Sequence, residues 1–473
     1  MSGESRELAT DADFDAVSEV ALGAARDHEP DWAPGFVARL VEELDAGGVR
    51  WCVLRNAEDL PDAVGHDVDV LIHPDDEARA LQLVRRVVGE LELFLVRTYR
   101  GVEHLGIDVA ASDLSGRRFL HLDLQTALRY RGRVLVEAKD LLSNRTRRGG
   151  VWGLGPGMEA YALLLHAALH KGELKEKYAE RVRALTRSAP GELERIAVER
   201  LGPELGGRLG RVETEGDLLA LRGGLGRAVD RRHPGNRWRR RWFPIRSGIA
   251  MTRLRLRPRG VFVVLLGPDG SGKSSTTDLL VEELSDPTSV IPVHRVYLGS
   301  GTPLLPTRRL MRRIHRMTGR RPAGPKPVRD VRPRRLKGAL HVMADEILRY
   351  WVQVRPRLAP HGIVVSDRYA YDVLRVNNEV IRSAWFRKLV TTVVPEPHVT
   401  FFLEGDPEVV AARKQELTVA ETIRQQEVYR GLSALVRNMR AIDLAVRDRA
   451  AIRGLALQIL DAFAERNGGR PRG

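Results

Sequence analysis

The sequence predicts an α/β protein of two parts. The C-terminal part is expected to hold a parallel sheet flanked by helices, and the N-terminal part an α+β domain with a helical appendage. Residues 261–266 form a continuous apolar run followed by glycines and a helical pattern, which is typical of a strand buried on both faces. The runs 362–367 and 397–404 repeat this pattern. The N-terminal runs 67–72 and 119–124 alternate apolar and polar residues, as strands with two different faces do.

The apolar run at 261–266 leads into a phosphate-loop motif. Gly267, Gly272, Lys273 and Ser274 fit the spacing G-x-x-x-x-G-K-[ST] without a mismatch. In this motif, glycines let backbone N–H groups surround phosphate oxygens, the lysine reaches the β- and γ-phosphates, and the serine ligates magnesium. The sequence therefore predicts a P-loop NTPase domain that binds ATP and Mg²⁺. The residues expected to hold the nucleotide are Gly267, Asp269, Gly270, Ser271, Gly272, Lys273, Ser274 and Ser275.

Length and composition limit the classes of protein that this chain can be. A chain of 473 residues predicts two or three domains. The single cysteine, Cys52, excludes an internal disulfide framework and fits a reducing compartment. No apolar run approaches the roughly 20 residues that span a bilayer, and the acidic, polar N-terminus is unlike a secretory signal. We therefore expect a cytoplasmic protein.

The net charge of +15 is concentrated in two segments. Residues 231–260 contain eleven arginines and no acidic residue, and residues 301–340 contain thirteen Lys or Arg and one acid, Asp330. Solvated linkers and loops would explain this, and so would a surface for polyanions or anionic lipid headgroups. The arginine-rich composition also suggests a GC-rich genome. Both interpretations of the charge stay open at this point.

In the N-terminal part, a flexible leader is expected over 1–34 and a domain over 35–175. Asp67 and Asp69 alternate with apolar residues, so they share one face of a strand, and Asp123 lies between leucines on a later strand. Adjacent carboxylates repel each other unless a cation lies between them. A carboxylate on an apolar strand is likewise costly unless it pairs or binds a metal. The pattern favours a divalent-metal site.

These residues resemble the nucleotidyltransferase superfamily, over about residues 36–175. The resemblance implies that Asp67, Asp69 and Asp123 are magnesium ligands. The chain departs from the family pattern before the first aspartate, where Arg55 and Asn56 replace the usual Gly-Ser pair. An active transferase, a binding-only domain and two ordinary surface aspartates remain alternatives.

Two segments connect this domain to the phosphate loop. Residues 176–230 predict charged helices with glycine breaks, a helical appendage to the first domain. Residues 231–259 are interpreted as a basic linker whose aromatic residues, Trp238 and Trp242 among them, pack on a neighbour. Arginine interleaved with tryptophan also suits nucleic acid or a membrane surface.

The C-terminal domain, 260–473, is expected to carry a basic insertion at 301–340. Its second buried strand ends in Asp367-Arg368-Tyr369. That sequence, after G-x-D-G-S-G-K-S, resembles the thymidylate kinase family over about residues 260–465. The resemblance implies that Asp367 helps to hold magnesium and that Arg368 binds the acceptor phosphate. It also implies that Arg413, Lys414 or Arg424 closes over the transferred group.

The substrate pocket departs from that family. Tyr297 to Pro303 replaces the usual Arg-Glu-Pro-Gly-Gly-like loop, and Ala370 to Arg375 replaces the residues that normally follow Asp-Arg-Tyr. The leading hypothesis is therefore ATP- and Mg²⁺-dependent phosphoryl transfer to a nucleoside monophosphate or another small acceptor. Nucleotidyl transfer by the first domain, with the second as a nucleotide sensor, is the alternative. An ATP-switched protein that binds nucleic acid or a membrane surface is a third, and a homodimer remains open.

Overall fold

The computed structural model of the protein describes residues 31–114, 119–212, 214–285, 291–298, 334–359, 361–375, 383–414, 418–443 and 449–469. Most of the predicted leader, and the predicted basic insertion up to residue 333, lie outside the described residues. The chain divides into two compact units: the first comprises the chain up to Thr252 together with the C-terminal residues from Gly468, and the second runs from Arg253 to Asn467. The division falls within the basic segment 231–259.

The first unit is built on a mixed seven-stranded sheet of order β3-β4-β5-β2-β1-β9-β8. Strands β2 and β5 pair in parallel, whereas β4 runs antiparallel to β5. A separate hairpin, β6–β7, stands beside the sheet. The strands are β1 (Trp51–Val53), β2 (Asp67–Ile72), β3 (Phe94–Arg100), β4 (His104–Ala110), β5 (Leu120–Gln125), β6 (Ala127–Tyr130), β7 (Arg133–Glu137), β8 (Arg145–Arg148) and β9 (Val151–Leu154).

Helices cover both faces of this sheet. Val68, Val70 and Ile72 pack into a core with α1 and α2, and Leu71 packs on the other side with α4 to α8. This alternation confirms that Asp67 and Asp69 share a face with Leu71, away from the α1 core. The helices are α1 (Ala33–Ala46), α2 (Glu77–Glu90), α3 (Ala138–Leu142), α4 (Pro156–His166), α5 (Glu176–Ser188), α6 (Glu192–Leu201), α7 (Pro203–Leu209) and α8 (Glu215–Arg232).

The basic segment after α8 folds as a long helix, α9 (Asn236–Leu256), with Pro244 inside it. The expectation that its aromatic residues pack on a neighbour is wrong for the two tryptophans. Trp238 is 66% exposed and Trp242 is 52% exposed. The helical repeat places both on the solvent side of α9, because residues four apart lie on the same face.

The second unit contains an all-parallel five-stranded sheet of order β11-β12-β10-β13-β14. All six residues of β10 are fully buried. Each large apolar side chain contributes roughly 1.5–3 kcal/mol on full burial, so the start of the phosphate loop is firmly anchored. The strands are β10 (Val261–Leu266), β11 (Val293–Val296), β12 (Ile363–Ser366), β13 (Val399–Glu404) and β14 (Met439–Asp443).

Helices flank this sheet, as predicted for the C-terminal part. Phe262, Tyr369, Phe402 and Tyr429 are among the large side chains of its core. Among the described residues, no helix combines the length and the apolarity that crossing a bilayer requires. The helices are α10 (Lys273–Leu284), α11 (Arg334–Arg349, continued by a π-helical turn at Tyr350–Val354), α12 (Arg355–Leu358), α13 (Ala384–Val393), α14 (Pro407–Lys414), α15 (Val419–Ser433) and α16 (Arg449–Asn467).

Candidate phosphoryl-transfer site

The phosphate loop joins β10 to α10 at the carboxyl end of the sheet, with β12 and β13 on either side of β10. This is the place where open parallel sheets bind ligands. Gly267, Gly270 and Gly272 have φ angles of 153°, 92° and 81°, which side chains disfavour. A Cβ at Gly267 would also lie 2.9 Å from the Leu403 carbonyl oxygen. The glycines are thus required by the backbone path of the loop.

Lys273, the first residue of α10, folds back over the loop. Its Nζ donates hydrogen bonds to the carbonyl oxygens of Gly267 (2.8 Å) and Pro268 (2.7 Å). The side chain is buried, and this burial lowers the pKa of Lys273 to about 8, although Asp372 and Asp269 favour the cation. The nearby carboxylates therefore offset only part of the cost of burying the ammonium group. Phosphate oxygens bound in the loop would offset the rest.

Ser274 and Asp367 meet beside the loop. The Ser274 hydroxyl donates to Oδ2 of Asp367 at 2.8 Å, and Asp367 follows the last residue of β12. The other carboxylate oxygen, Oδ1, is buried without a hydrogen-bond partner in the part of the chain that the structure describes. A buried carboxylate oxygen is costly without a partner. Hydroxyl and carboxylate oxygens are ligands that magnesium prefers, so these two residues fit the ion.

Two arginines and two aspartates form a network next to the loop. Arg368 contacts Asp269 at 2.7 Å and Asp372 at 3.2 Å. Arg375 contacts the same two carboxylates at 3.5 and 3.3 Å. Burial raises the pKa of Asp269, but Arg375 and Arg368 outweigh it, so the pKa lies below the usual value. The two guanidinium groups are therefore held together beside the phosphate loop.

A second layer supports these arginines from α15. The buried Tyr429 hydroxyl donates to Asp372 at 2.8 Å, and Arg424 donates to the backbone carbonyl of Arg375 at 2.7 Å. Arg424 also pairs with Glu421 in its own helix. Arg413, on α14, is exposed. The structure thus brings Arg424 to the network, whereas Arg413 stands in solvent.

Asp372, Arg375 and Tyr429 were not among the residues that the sequence patterns singled out for the site. The signal that could have found two of them is local. Asp372 and Arg375 stand four and seven residues after Arg368, the spacing of one helical face, and a 3₁₀ turn at Ala370–Arg375 brings them together. Tyr429 lies 57 residues from its partner Asp372. No local pattern reveals that contact.

The N-terminal carboxylates also lie side by side. Asp69 and Asp123 are direct partners in the parallel pairing of β2 and β5. Burial and then the negative charge of Asp69 raise the pKa of Asp123, while His104 lowers it. Oδ1 of Asp123 has no hydrogen-bond partner among the described residues. Asp67, at the exposed end of β2, completes the set.

Arg55 forms ion pairs with two of these carboxylates. Its guanidinium forms a close ion pair with Asp69 and is 3.9 Å from Asp67. Within the described ranges, no group of three or more His, Cys, Asp or Glu side chains is arranged to hold a metal ion. The guanidinium thus supplies at Asp69 the positive charge that a metal ion would supply. Oδ1 of Asp123, by contrast, is a buried acceptor to which no described residue donates a hydrogen bond.

Part of the chain is similar in sequence to a known kinase. No protein-family model matches the chain. The chain is 32% identical over 193 residues to a probable thymidylate kinase of Pyrobaculum aerophilum. The match covers 41% of this chain and 84% of that relative. It confirms the predicted thymidylate kinase resemblance, while the nucleotidyltransferase resemblance of the first unit stays a prediction. The chain belongs to the thymidylate kinase family.

Proposed function

We propose that the second unit transfers the γ-phosphoryl group of ATP to a nucleoside monophosphate or a related small phosphorylated acceptor, with Mg²⁺. The observation that carries this proposal is the contact between Ser274 and Asp367, whose second carboxylate oxygen is buried and has no hydrogen-bond partner among the described residues. Ser274 ends the glycine loop that suits phosphates, and the half-buried Arg368 and Arg375 both pair with Asp269 of that loop. Phosphoryl transfer requires positioning and charge neutralisation, and these groups supply both.

On the donor side, the β- and γ-phosphates of ATP would lie in the loop from Gly267 to Ser275. Backbone N–H groups and the N-terminus of α10 favour negative charge there. Lys273 would leave the carbonyl oxygens of Gly267 and Pro268 and bind phosphate oxygens instead, at a short displacement of its long side chain. The buried position of its ammonium group strengthens this interaction.

Magnesium would be held by Ser274 and Asp367. When bound, the ion neutralises charge on the phosphate oxygens of ATP. Asp367 supplies an oxygen that has no other partner among the described residues. Arg295, 3.8 Å from Asp367, keeps a positive charge near the same carboxylate.

On the acceptor side, Arg368 and Arg375 would bind the phosphate of the acceptor. Arginine suits this role because its planar group makes two parallel hydrogen bonds to phosphate. Asp269 and Asp372 hold both guanidinium groups in place beforehand, which reduces the entropy that binding must remove. Arg424 and Arg413 would then close over the transferred group, which requires Arg413 to move in from solvent.

The relative is named a probable thymidylate kinase. Thymidylate itself is one candidate acceptor, and the chain departs from the family pattern where the acceptor base would bind. Ala370 to Arg375 stands in place of the usual residues after Asp-Arg-Tyr. The acceptor class is therefore proposed as a nucleoside monophosphate or another small phosphate.

The test is an acceptor screen with the full-length protein and γ-labelled ATP. Nucleoside monophosphates, sugar phosphates and polyprenols are offered separately with Mg²⁺, and the labelled product is identified. The proposal predicts label in a small phosphorylated acceptor. Label in none of them, from a protein that binds ATP, would contradict it.

A second candidate function is nucleotidyl transfer by the first unit. The specific observation in its favour is the alignment of Asp69 and Asp123 across β2 and β5, with a buried oxygen on Asp123 that no described residue hydrogen-bonds. The Arg55 guanidinium on Asp69 opposes it, because Arg55 would have to move before a metal ion could bind there. In this case the second unit would act as a nucleotide sensor.

A further inference from the structure

The arginine-rich helix α9 carries an exposed apolar stripe. Trp238, Trp242, Ile245 and Ile249 are 66, 52, 48 and 47% exposed. Their spacing of four, three and four residues places them along one side of a helix. Single exposed apolar residues are ordinary, but four in a row along one helix form a patch that marks an interaction surface.

The opposite side of α9 is attached to the first unit. Asn236 is fully buried, and its side chain exchanges two hydrogen bonds with the backbone of Val134 in β7, at 2.9 and 3.0 Å. A Cβ added to Gly132, in the β6–β7 turn, would lie 2.9 Å from Cβ of Phe243. Asn236 and Phe243 thus face the hairpin. The apolar stripe is on the side of the helix that they leave to solvent.

Positive charge borders the stripe on both sides. With 100° per residue, Arg241 lies on one side of it and Arg246 on the other, and both are exposed. No acidic residue occurs between positions 231 and 260. Arg240, which pairs with Asp230 at 3.1 Å from the preceding helix, lies away from the stripe. A charged polar border around large apolar residues is the composition of a helix that lies in a membrane interface.

Next to the stripe is a cluster of three arginines, Arg129, Arg239 and Arg246. Burial, and then the positive charges of Arg239 and Arg246, lower the pKa of Arg129, while Glu103 opposes them. Glu103 and Glu137 offset this repulsion at Arg129 only in part, since the pKa stays below its ordinary value. Arg129 and Arg246 line a cavity of about 300 Å³, whose other ionisable lining residues are Arg100, His104, Glu77 and Glu103. A phosphate group in this cavity would offset the repulsion among the three cations.

The charge distribution decides which partner fits. A second copy packed on the stripe would bring the arginines of one helix against those of the other, which is repulsive. Duplex nucleic acid would satisfy the arginines but would leave the isoleucines without an apolar partner. An anionic lipid surface satisfies both, because its headgroups attract arginine and its acyl boundary accepts tryptophan and isoleucine.

We propose that α9 seats the first unit on an anionic phospholipid surface, with the Trp238–Ile249 stripe in the interface and the Arg129, Arg239 and Arg246 cluster on a lipid phosphate. This inference does not depend on the proposed phosphoryl transfer. The helix lies in the plane of the interface and does not cross the bilayer.

Vesicle binding by the full-length protein tests it. Vesicles of phosphatidylcholine are compared with vesicles that contain about a third of phosphatidylglycerol, with and without salt. We expect binding to be at least about 10-fold tighter to the anionic vesicles and to weaken as salt increases. The double variant Trp242→Ser/Ile245→Ser is expected to lose roughly 10-fold or more of that affinity, because it removes half of the stripe. The matched control is Trp385→Ser, which changes an equally exposed tryptophan of the second unit and is expected to bind as the wild type does.

A separate experiment tests the cluster of Arg129, Arg239 and Arg246. Arg129→Gln is expected to weaken binding to anionic vesicles several-fold while leaving binding to neutral vesicles unchanged. Soluble glycerol phosphate at millimolar concentration is expected not to displace the protein from vesicles. Displacement by glycerol phosphate would assign the cluster to a soluble phosphate and overturn the lipid source.

Tryptophan fluorescence of the wild-type protein gives a further test, which requires no variant. Phospholipids brominated near the headgroup are expected to quench tryptophan fluorescence in anionic vesicles and not in neutral ones. Equal binding to neutral and anionic vesicles would overturn the proposal, as would a folded double variant that binds like the wild type. A dimer that the double variant abolishes, or tighter binding to duplex DNA than to vesicles, would assign the stripe to another partner and also overturn it.

Discussion

The two units place the same kinds of residue in different relations. In the second unit, Asp269 and Asp372 share two arginines, and one oxygen of Asp367, beside the glycine loop, has no hydrogen-bond partner in the described ranges. In the first unit, the Arg55 guanidinium forms a close ion pair with Asp69, and the sequence between Arg55 and Asp67 contains no phosphate-loop motif. Aspartates on strands therefore do not by themselves define a phosphate site. What distinguishes the second unit is a backbone built for anions next to its carboxylates.

The largest difference between the units should appear with Lys273→Met. The change removes the cation that the phosphate loop holds in a buried position, and we expect γ-phosphoryl transfer to fall about 10³-fold. Asp69→Asn in the first unit is expected to change it less than about 2-fold, since it touches neither donor nor acceptor. Steady-state rates with labelled ATP measure both, and thermal melting shows whether each variant is folded. Equal losses of γ-phosphoryl transfer in the two variants would contradict the assignment of the reaction to the second unit.

A smaller effect is expected for Arg375→Gln, which tests the arginine pair. Loss of a charge-assisted bond to the acceptor phosphate should raise the acceptor KM by roughly 10- to 100-fold and lower kcat less. Arg440→Gln serves as a matched surface control, because Arg440 is exposed on β14 and its guanidinium donates a hydrogen bond to Gln458 of α16. An unchanged acceptor KM with a lowered kcat would move Arg375 from the acceptor to the transferred group.

We expect Lys273 to take up a proton when ATP binds. The pKa of Lys273 is about 8 before binding, against an ordinary value of 10.5, and phosphate oxygens stabilise the cation and raise that pKa again. At pH 8, ATP binding should therefore take up about half a proton, and affinity should fall up to about 10-fold for each pH unit above 8. Calorimetry in buffers of different ionisation enthalpy measures the uptake. The exposed Lys388→Met is the control and should retain it.

The smallest effect on the reaction is expected for Arg55→Met. Removing the guanidinium leaves Asp69 beside Asp123 without compensation, which should lower the free energy of unfolding by about 1–3 kcal/mol. γ-Phosphoryl transfer should stay within about 2-fold of the wild type, because the second unit is intact. Millimolar Mn²⁺ should recover part of the lost stability by replacing the positive charge. Arg86→Met, which breaks an exposed pair with Glu43, is the control and should show no such recovery.

The segments of both units that could be predicted carry local signals. The apolar run at 261–266 and the alternating residues at 67–72 match β10 and β2 at both ends. Apolar runs and glycine positions follow from burial and from backbone angles, which each segment carries in its own sequence. The same holds for Gly267 to Ser274, whose conformation is fixed by the loop itself.

The features that the sequence did not predict are of two kinds. Some are side-chain contacts between segments far apart in the chain, and one is a helix whose repeat other residues obscure. The pairing of Asp372 with Tyr429, and of Asp269 with Arg375, joins segments 57 and 106 residues apart. Helix α9 was interpreted as a linker because Pro244 and dense arginine obscure its repeat. Its Trp238–Ile249 stripe nevertheless has helical spacing. A count of apolar residues at intervals of three and four would have indicated the helix.

The most direct test of the central claim is a double-label experiment on the wild type. ATP labelled at the α-phosphate and ATP labelled at the γ-phosphate are offered in parallel with the acceptor found in the screen, and pyrophosphate is measured. Our account predicts γ-label in the acceptor, no α-label and no pyrophosphate, with the γ-label lost in Lys273→Met. Transfer of α-label with release of pyrophosphate, persisting in Lys273→Met and abolished in Asp69→Asn, would contradict it.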